Sequence, residues 1–152
     1  MPDFLTAHRE GYELSTDPAR LQPAVIHDYL TNHSYWAKNI PLEIVQRSLE
    51  NSLCFGLYHA ETQVGFARVT TDRATFAYLA DVFVLPEHRG RGLSKWLVET
   101  ILAHPDLQGF RRWMLGTADA HGLYAEFGFT PLAAPERWME IARPGIYQNF
   151  TE

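Results

Sequence analysis

The stretch from residue 76 to residue 116 limits the possible folds of this 152-residue chain more than any other part. It begins in an almost wholly apolar run, residues 75–85, of the kind found in central strands. A loop rich in glycine and arginine follows, and residues 93–101 then keep the apolar spacing of a helix. Residues 111–116 predict another short strand. A strand, a helix and a strand in this order make a crossover, so the two strands are predicted to be parallel within one sheet.

Further helices and strands are predicted before the crossover. Residues 11–15 predict a first strand, and Asp17-Pro18 predicts a helix start, because aspartate caps helices and proline suits the first helical position. Apolar spacing over residues 21–30 continues that helix, and residues 42–49 predict a second one. An antiparallel meander then follows, with strands predicted at residues 53–58, 64–70 and 75–85.

After the crossover, the chain predicts a short helix and two terminal strands. The helix is predicted at residues 119–126, and the strands at residues 129–132 and 137–141. No internal repeat, low-complexity tract or linker interrupts the chain, so residues 1–152 are expected to form a single domain. The fold class is therefore α+β, a mixed sheet with helices packed against it.

Composition excludes several classes of protein. The formal net charge of −5 argues against a general binder of nucleic acid or of anionic membranes. No apolar run approaches the roughly 18 residues that a spanning helix needs, and residues 1–5 lack the basic start of a signal peptide. We therefore expect a cytoplasmic protein. Cys54 is the only cysteine and the seven histidines show no ligand spacing, so neither a disulfide nor a metal site is expected.

The loop Arg89-Gly90-Arg91-Gly92-Leu93-Ser94 is the clearest candidate for a ligand site. Glycines let the backbone turn tightly, and they let a ligand approach the amides that point outward at a helix start. Arg89, Arg91 and Lys95 add three positive charges, a set that suits a pyrophosphate or a ribose phosphate. A glycine-rich turn with arginines on a solvated face would look the same, so the loop alone leaves both interpretations open.

Two motifs resemble those of a known family. Residues 89–94 are similar to the Arg/Gln-x-x-Gly-x-Gly/Ala signature of the GNAT superfamily, the acyl-CoA-dependent N-acetyltransferases. Downstream, Leu123-Tyr124-Ala125-Glu126-Phe127-Gly128-Phe129 resembles the Leu-Tyr-x-x-x-Gly-Phe segment of that family. Two positions depart from the pattern, because Ser94 replaces the final Gly/Ala and Thr117 stands where the family often has asparagine.

The resemblance implies a GNAT-like three-layer fold, with a central, mostly antiparallel mixed sheet, two splayed parallel central strands and flanking helices. In the family, the pantetheine arm of acetyl-CoA lies between the strands that correspond to residues 79–84 and 113–117. Backbone groups near Phe83 and Val84 would pair with that arm and polarise the thioester carbonyl. The implied cofactor-binding residues are Phe83, Val84, Arg89, Gly90, Arg91, Gly92, Leu93, Ser94, Thr117 and Tyr124.

Tyr124 and Asp81 are the catalytic residues that the resemblance implies. Tyr124 matches the usual general acid of the family, although an aromatic packing role would suit the same short helix. Asp81 interrupts the apolar strand and resembles the acidic residue that some members use as a base. A carboxylate tied to an arginine or to backbone amides is an equally good interpretation of Asp81. Glu87, Tyr78 and a base acting through water are weaker alternatives.

The acceptor site is implied only by analogy. Tyr35 and Trp36 fall where this family builds its acceptor wall, in a polar and aromatic stretch, residues 31–39, that suits a loop or a short helical lid. Net acidity favours a cationic acceptor, but the sequence does not identify it. Cys54 is expected in the core and not as a nucleophile.

The resemblance therefore implies an N-acetyltransferase that uses acetyl-CoA as co-substrate. It would move the acetyl group to an amine of a small molecule, or to an exposed amino group, by direct attack in a ternary complex. A second hypothesis is a non-catalytic acyl-CoA-binding sensor, which would keep the same cofactor-binding residues. A general nucleotide-binding module is the third hypothesis. Exposed terminal strands leave a homodimer open.

Overall fold

One mixed sheet of six strands runs through the computed structural model, which describes residues 4–149. The strands are β1 (Thr6–Arg9), β2 (Tyr12–Ser15), β3 (Leu53–His59), β4 (Thr62–Thr71), β5 (Phe76–Val84) and β6 (Arg112–Met114). The α-helices are α1 (Pro23–His33), α2 (Leu42–Glu50), α3 (Leu93–Leu102) and α4 (His121–Ala125). The strands lie side by side in chain order, antiparallel from β1 to β5, and β6 runs parallel to β5.

Two hydrophobic cores cover the two faces of the sheet, because side chains alternate along each strand. Leu57 of β3 packs with Leu97 of α3 in one fully buried core. Phe66 of β4 packs with Ile26 of α1 and Val45 of α2 in the other. Helices therefore lie on both faces of the sheet. This arrangement confirms the predicted three-layer α+β fold.

The crossover that most constrained the fold is also confirmed. Phe76 of β5 pairs with Arg112 of β6, and Tyr78 pairs with Met114, in parallel register. Helix α3 connects the two strands and buries one side in the first core. The loop before α3 therefore lies beyond the end of β5, on the side of the sheet where β5 and β6 have separated.

Helix α1 begins later than the sequence predicts. The predicted start at Asp17-Pro18 is a single 3-10 turn, Pro18–Arg20, in which the Asp17 carboxylate accepts a hydrogen bond from the Ala19 amide at 2.9 Å. A helix that continued from there would place Pro23 in its interior, where proline lacks a donor and its ring clashes with the preceding turn. The chain restarts instead, and Pro23 takes the first position of α1.

The prediction of two terminal strands is wrong. Residues 129–132 and 137–141 belong to no strand of the described sheet. Pro131 and Pro135 lack the amide donors that a ladder needs, and Pro135 begins a 3-10 turn. Met139 is 97 % exposed and Ile141 is 86 % exposed, so the alternating pattern buries neither side chain. The homodimer hypothesis rested on these strands and loses that pairing surface.

Strand β1 is missing from the sequence prediction, which starts the sheet at residue 11. It joins β2 through a two-residue turn in which Glu10 and Gly11 have φ angles of 49° and 87°. Two consecutive positive φ angles define the tight hairpin turn that matches the twist of antiparallel strands. The hairpin brings Arg9 to the start of α3, where its Nη2 atom lies 3.9 Å from the position that a Cβ on Gly92 would occupy.

His104, after α3, gives the fold a predicted pH dependence. Its side chain is 8 % exposed, and Nδ1 accepts a hydrogen bond from the Asp106 amide at 3.0 Å. Burial lowers the pKa of His104 below its ordinary value. The unfolded chain binds a proton at the ordinary pKa of about 6.5, so the free energy of unfolding should fall as the pH drops below that value.

His104→Asn tests this pH dependence. Asparagine keeps a side-chain acceptor at the first position of the turn and removes the titrating ring. Between about pH 7 and pH 5, the Tm of the wild type should fall more steeply than the Tm of the variant. Parallel curves would show that His104 does not contribute to the acid sensitivity.

Candidate active site

The gap between β5 and β6 opens into a cleft. Backbone pairing of these strands ends at Tyr78 and Met114. Beyond that point a cleft of about 680 Å³ lies between residues 79–82 and residues 115–120. The splayed pair that the resemblance implied is therefore present. The volume falls within the range of small-molecule sites, roughly 300–1,000 Å³.

A β-bulge shapes the β5 wall of the cleft. Asp81 and Val82 together face one residue of β4, Ala67. Asp81 has a φ of 55°, a left-handed conformation that residues other than glycine seldom adopt. Such strain persists only where neighbouring contacts hold the residue in place. Both bulge residues line the cleft.

The Asp81 carboxylate is held by two donors. Arg68 Nε donates to Oδ2 at 2.9 Å, and Trp36 Nε1 donates to Oδ1 at 2.8 Å. Arg68 is held in turn, since its Nη1 lies 3.2 Å from the hydroxyls of both Ser52 and Thr70. The carboxylate is thus tied to an arginine, as one sequence interpretation proposed. Each oxygen can accept a further hydrogen bond, so these contacts still leave room for an amine donor.

Tyr124 of α4 lies on the opposite side of the cleft. Its side chain is 8 % exposed and packs edge-on against Phe129, with 6.0 Å between the ring centroids. Burial raises the pKa of Tyr124 to about 12, and the neighbouring Tyr35 and Asp119 act in the same direction. The phenol therefore keeps its proton at neutral pH and can act as a donor in the cleft.

Tyr35 and Trp36 cross the cleft from the α1–α2 loop. The Tyr35 hydroxyl accepts a hydrogen bond from the Ala118 amide, beyond β6, at 2.7 Å, and Trp36 reaches Asp81 on β5. The two rings meet edge to face, with 5.0 Å between centroids. Both side chains line the cleft, and their contacts fix this loop to both of its walls.

A second hollow, of about 200 Å³, lies at the start of α3. Gly90 and Gly92 have φ angles of 81° and 74°, which glycine adopts without strain. No side chain within residues 4–149 caps the first amides of α3, and Leu93 anchors this end of the helix in the core. Exposed helix-start amides of this kind favour an anion.

The cations near this hollow have different partners. Arg89 donates from Nε to the Val84 carbonyl at 2.9 Å and from Nη2 to the Tyr29 hydroxyl at 3.0 Å, so it fastens the loop to the fold. Lys95 forms an exposed ion pair with Glu126 at 3.2 Å. Arg91 is exposed and forms no ion pair within residues 4–149. Arg91 is therefore the loop cation most open to a ligand.

The backbone groups of Phe83 and Val84, both expected to pair with the pantetheine arm, point in opposite directions at the end of β5. The Leu85 amide donates to Val64 of β4, and alternate residues of a strand face the same neighbour, so Phe83 also faces β4. Val84 therefore faces away from β4, and it lines the hollow. Val82 lines the cleft, although the sequence analysis did not single it out.

Thr117 stabilises the turn before α4. Its Oγ1 atom accepts hydrogen bonds from the Ala120 amide at 3.1 Å and from the Asp119 amide at 3.4 Å. The residue lines the cleft, in the position where the family often has asparagine. Its side chain is thus placed by its own turn.

Of the two weaker base candidates from the sequence, Tyr78 lines the cleft and Glu87 does not. Cys54 is 5 % exposed, and burial raises its pKa to about 12, so the expectation of a core cysteine is confirmed. Residues 4–149 contain no group of His, Cys, Asp and Glu side chains that could hold a metal ion. No helix in that part of the chain is long and apolar enough to cross a membrane.

Sequence reasoning missed two arginines near these sites. Arg68 fixes Asp81, and the sequence signal for Arg68 was a lone cation within an otherwise uncharged strand. Arg9 lies by Gly92, with its guanidinium 6.0 Å from the centroid of the Trp96 ring. No sequence pattern pointed to Arg9, because its strand was not predicted.

Comparison with known proteins gives a consistent result. The sequence profile of the Acetyltransferase (GNAT) family matches residues 14–129. A Gibberella zeae protein classed as an acetyltransferase is 36 % identical, with 78 % of each chain covered. The crystal structure of a protein from Xanthomonas campestris pv. campestris, assigned to the GNAT family, is 54 % identical with a TM-score of 0.91. That match covers 93 % of this chain and 100 % of the other.

A more distant structure supports the fold alone. An acetyltransferase-like protein from Deinococcus radiodurans R1 superimposes with a TM-score of 0.70 at 17 % identity, over 95 % of this chain and 96 % of the other. The same architecture is thus kept where little of the sequence is shared. From the profile match and the two closer relatives, this chain belongs to the GNAT family of acetyltransferases.

Proposed function

We propose that this chain transfers the acetyl group of acetyl-CoA to a primary amine, with both substrates bound together. One observation carries the proposal: β5 and β6 separate beyond Tyr78 and Met114, and Asp81 and Tyr124 line the cleft that opens there. The cleft and the hollow at the start of α3 are neighbours. Leu123 lines the hollow, and the next residue, Tyr124, lines the cleft. We infer that acetyl-CoA, a long ligand, extends from one into the other.

The start of α3 fits the phosphates of CoA. Its first amides have no cap from a side chain of the described residues, Gly92 turns the chain without a Cβ, and Arg91 is exposed beside them. Backbone amides together with a guanidinium are a favourable set for a pyrophosphate. The Val84 amide faces away from β4, which suits donation of a hydrogen bond to a carbonyl of the pantetheine arm, whereas the Val84 carbonyl already accepts from Arg89.

The chemistry needs a proton acceptor and a proton donor on two sides of the reacting atoms. Acetyl-CoA supplies an acetyl group that is already activated as a thioester. Asp81 accepts the proton that the attacking amine loses, and Arg68 and Trp36 hold its carboxylate in place. Tyr124 donates a proton to the departing sulfur, a role that its raised pKa of about 12 permits because the phenol stays protonated.

Direct attack agrees with the side chains around the cleft. Cys54, the one thiol of the chain, is buried in the core and does not line the cleft. Burial raises its pKa to about 12, which disfavours the nucleophilic thiolate. An acetyl-enzyme on cysteine is therefore disfavoured, and the amine is the attacking group.

Gly92→Ala tests the phosphate cradle. Alanine at a φ of 74° strains the backbone by about 1–2 kcal/mol and disturbs the first amides of α3. We expect the Kd of acetyl-CoA, measured by calorimetry, to rise about 10-fold or more. Gly109→Ala is the matched control, since it strains a φ of 78° in open space. Both variants should lose similar stability, and equal acetyl-CoA affinity in the two would reject this site.

A thermal-shift comparison separates the proposed function from its rivals. Acetyl-CoA and CoA should both raise the Tm, whereas ATP and NAD should raise it less. A preference for ATP or NAD would favour a general nucleotide-binding module. A sensor would respond to acetyl-CoA and yield no acetylated product with any amine, so product analysis by mass spectrometry completes the test.

A further inference from the structure

The acceptor side of the cleft is built mainly from rings and aliphatic side chains. Tyr35 and Trp36 line it from the α1–α2 loop, and Tyr78 lines it from β5. Ile40 and Ile44, from the α1–α2 loop and α2, complete the apolar surface. Trp36 and Tyr78 are 39 % and 40 % exposed, so their rings present free area that a ligand can cover. Such a wall favours an acceptor with an apolar or aromatic body.

The charges of the cleft are few. Its described lining residues carry one arginine and two aspartates, Arg68, Asp81 and Asp119, which sum to −1. Arg68 and Asp81 pair with each other. Asp119 lies on the exposed loop before α4. An acceptor with several ammonium groups would therefore find few carboxylates, whereas one ammonium matches the net charge.

The position of Asp81 also disfavours an acceptor that carries a carboxylate next to its amine. A carboxylate on the carbon that bears the amine would lie close to the Asp81 oxygens and be repelled. Arg68 cannot bind the ligand carboxylate through two of its nitrogens, because its Nε and Nη1 already donate to Asp81, Ser52 and Thr70. An amino acid is thus a poorer fit than the amine that lacks its carboxylate.

We infer that the acceptor is a monoamine, a single primary ammonium on a ring-bearing apolar body. Its ring packs against Trp36 and Tyr78, and its nitrogen lies at Asp81. The inference rests on the proposed function and narrows it to one substrate class. Trp36 is fixed by its hydrogen bond to Asp81 and by its contact with the Tyr35 ring, so contacts within the protein hold this wall in place.

Three amines test the inference with acetyl-CoA held saturating: 2-phenylethylamine, L-phenylalanine and spermidine. We expect kcat/KM, followed by thiol release, to be highest for 2-phenylethylamine, by about 10-fold or more over each of the others. L-phenylalanine differs from 2-phenylethylamine only in its carboxylate, and spermidine carries several ammonium groups without a ring. Equal or higher kcat/KM for spermidine or L-phenylalanine would overturn the inference.

Variants at Trp36 connect the preference to the wall. Trp36→Leu should lower kcat/KM for 2-phenylethylamine about 10-fold and leave the KM of acetyl-CoA unchanged. Trp36→Phe keeps a ring without the Asp81 contact, so it should retain the ranking of the three amines. Trp138→Leu, a change at a similarly exposed tryptophan outside the cleft, should alter neither constant. An unchanged ranking in Trp36→Leu would contradict the assigned wall.

These outcomes distinguish the inference from the proposed function. Acetylation of spermidine but not of 2-phenylethylamine would reject the monoamine class and leave acetyl transfer intact. Binding of acetyl-CoA with no transfer to any amine would reject both. A kcat/KM that is highest for 2-phenylethylamine, and that Trp36→Leu lowers, supports both.

Discussion

Tyr124→Phe is expected to lower kcat by roughly 100-fold or more, because it removes the proton donor on the α4 side of the cleft. Phenylalanine keeps the ring that packs against Phe129, so the fold and the acetyl-CoA thermal shift should be unchanged. Steady-state kinetics with thiol detection measure the loss. Since burial raises the pKa of Tyr124 to about 12, the wild-type rate should show no alkaline loss from this group below about pH 10.

Tyr58→Phe is the matched control for this prediction. Tyr58 is also buried, and burial raises its pKa to about 12, but it does not line the cleft. Its hydroxyl is buried without a hydrogen-bond partner among the described residues, so its removal should not destabilise the fold. An unchanged kcat in Tyr124→Phe, or an equal loss in both variants, would remove Tyr124 from the mechanism.

Asp81→Asn should have the second large effect, a loss of roughly 100-fold or more in kcat/KM for the amine at neutral pH. Asparagine is similar in size but cannot accept the amine proton. The loss should shrink as the pH approaches the amine pKa of about 10, because more of the amine then arrives deprotonated. A pH profile of kcat/KM for wild type and variant provides this measurement.

Arg68→Gln separates this chemistry from the loss of an ion pair. It breaks the same 2.9 Å contact and leaves the carboxylate in the cleft. Both variants should lose stability, because each leaves a partly buried charge without its partner. Asp81→Asn should lose much more activity than Arg68→Gln. Equal losses, with no recovery at high pH, would assign Asp81 a purely structural role.

The crossover could be predicted because its signals are local. A long apolar strand, a glycine-rich turn and one amphipathic helix each follow from neighbouring residues, and the right order of elements then fixes a parallel pair. The hairpin of β1 was missed since Thr6–Arg9 is polar and lies at the sheet edge, where alternation is weak. The terminal strands failed for the opposite reason, as alternation was present but Pro131 and Pro135 interrupt the ladder.

Residues of the candidate site that belong to a sequence motif could be predicted, whereas those held by tertiary contacts could not. Tyr124 and Gly92 were placed by motifs, and the structure puts them at the cleft and at the start of α3. The bulge at Asp81 and its bonds to Arg68 and Trp36 join residues far apart in the chain, at separations of 13 and 45. No local pattern encodes such contacts, so the hold on the carboxylate emerged only from the fold.

Product stoichiometry tests the central claim most directly. Acetyl-CoA and 2-phenylethylamine are incubated with the protein, and free CoA thiol and acetylated amine are quantified in the same sample. Transfer in a ternary complex predicts equal amounts of the two products, no acetylated protein, and formation of both products abolished or strongly slowed in Asp81→Asn and Tyr124→Phe. Thiol release without acetylated amine, or acetylation of the protein before the amine is added, would contradict it.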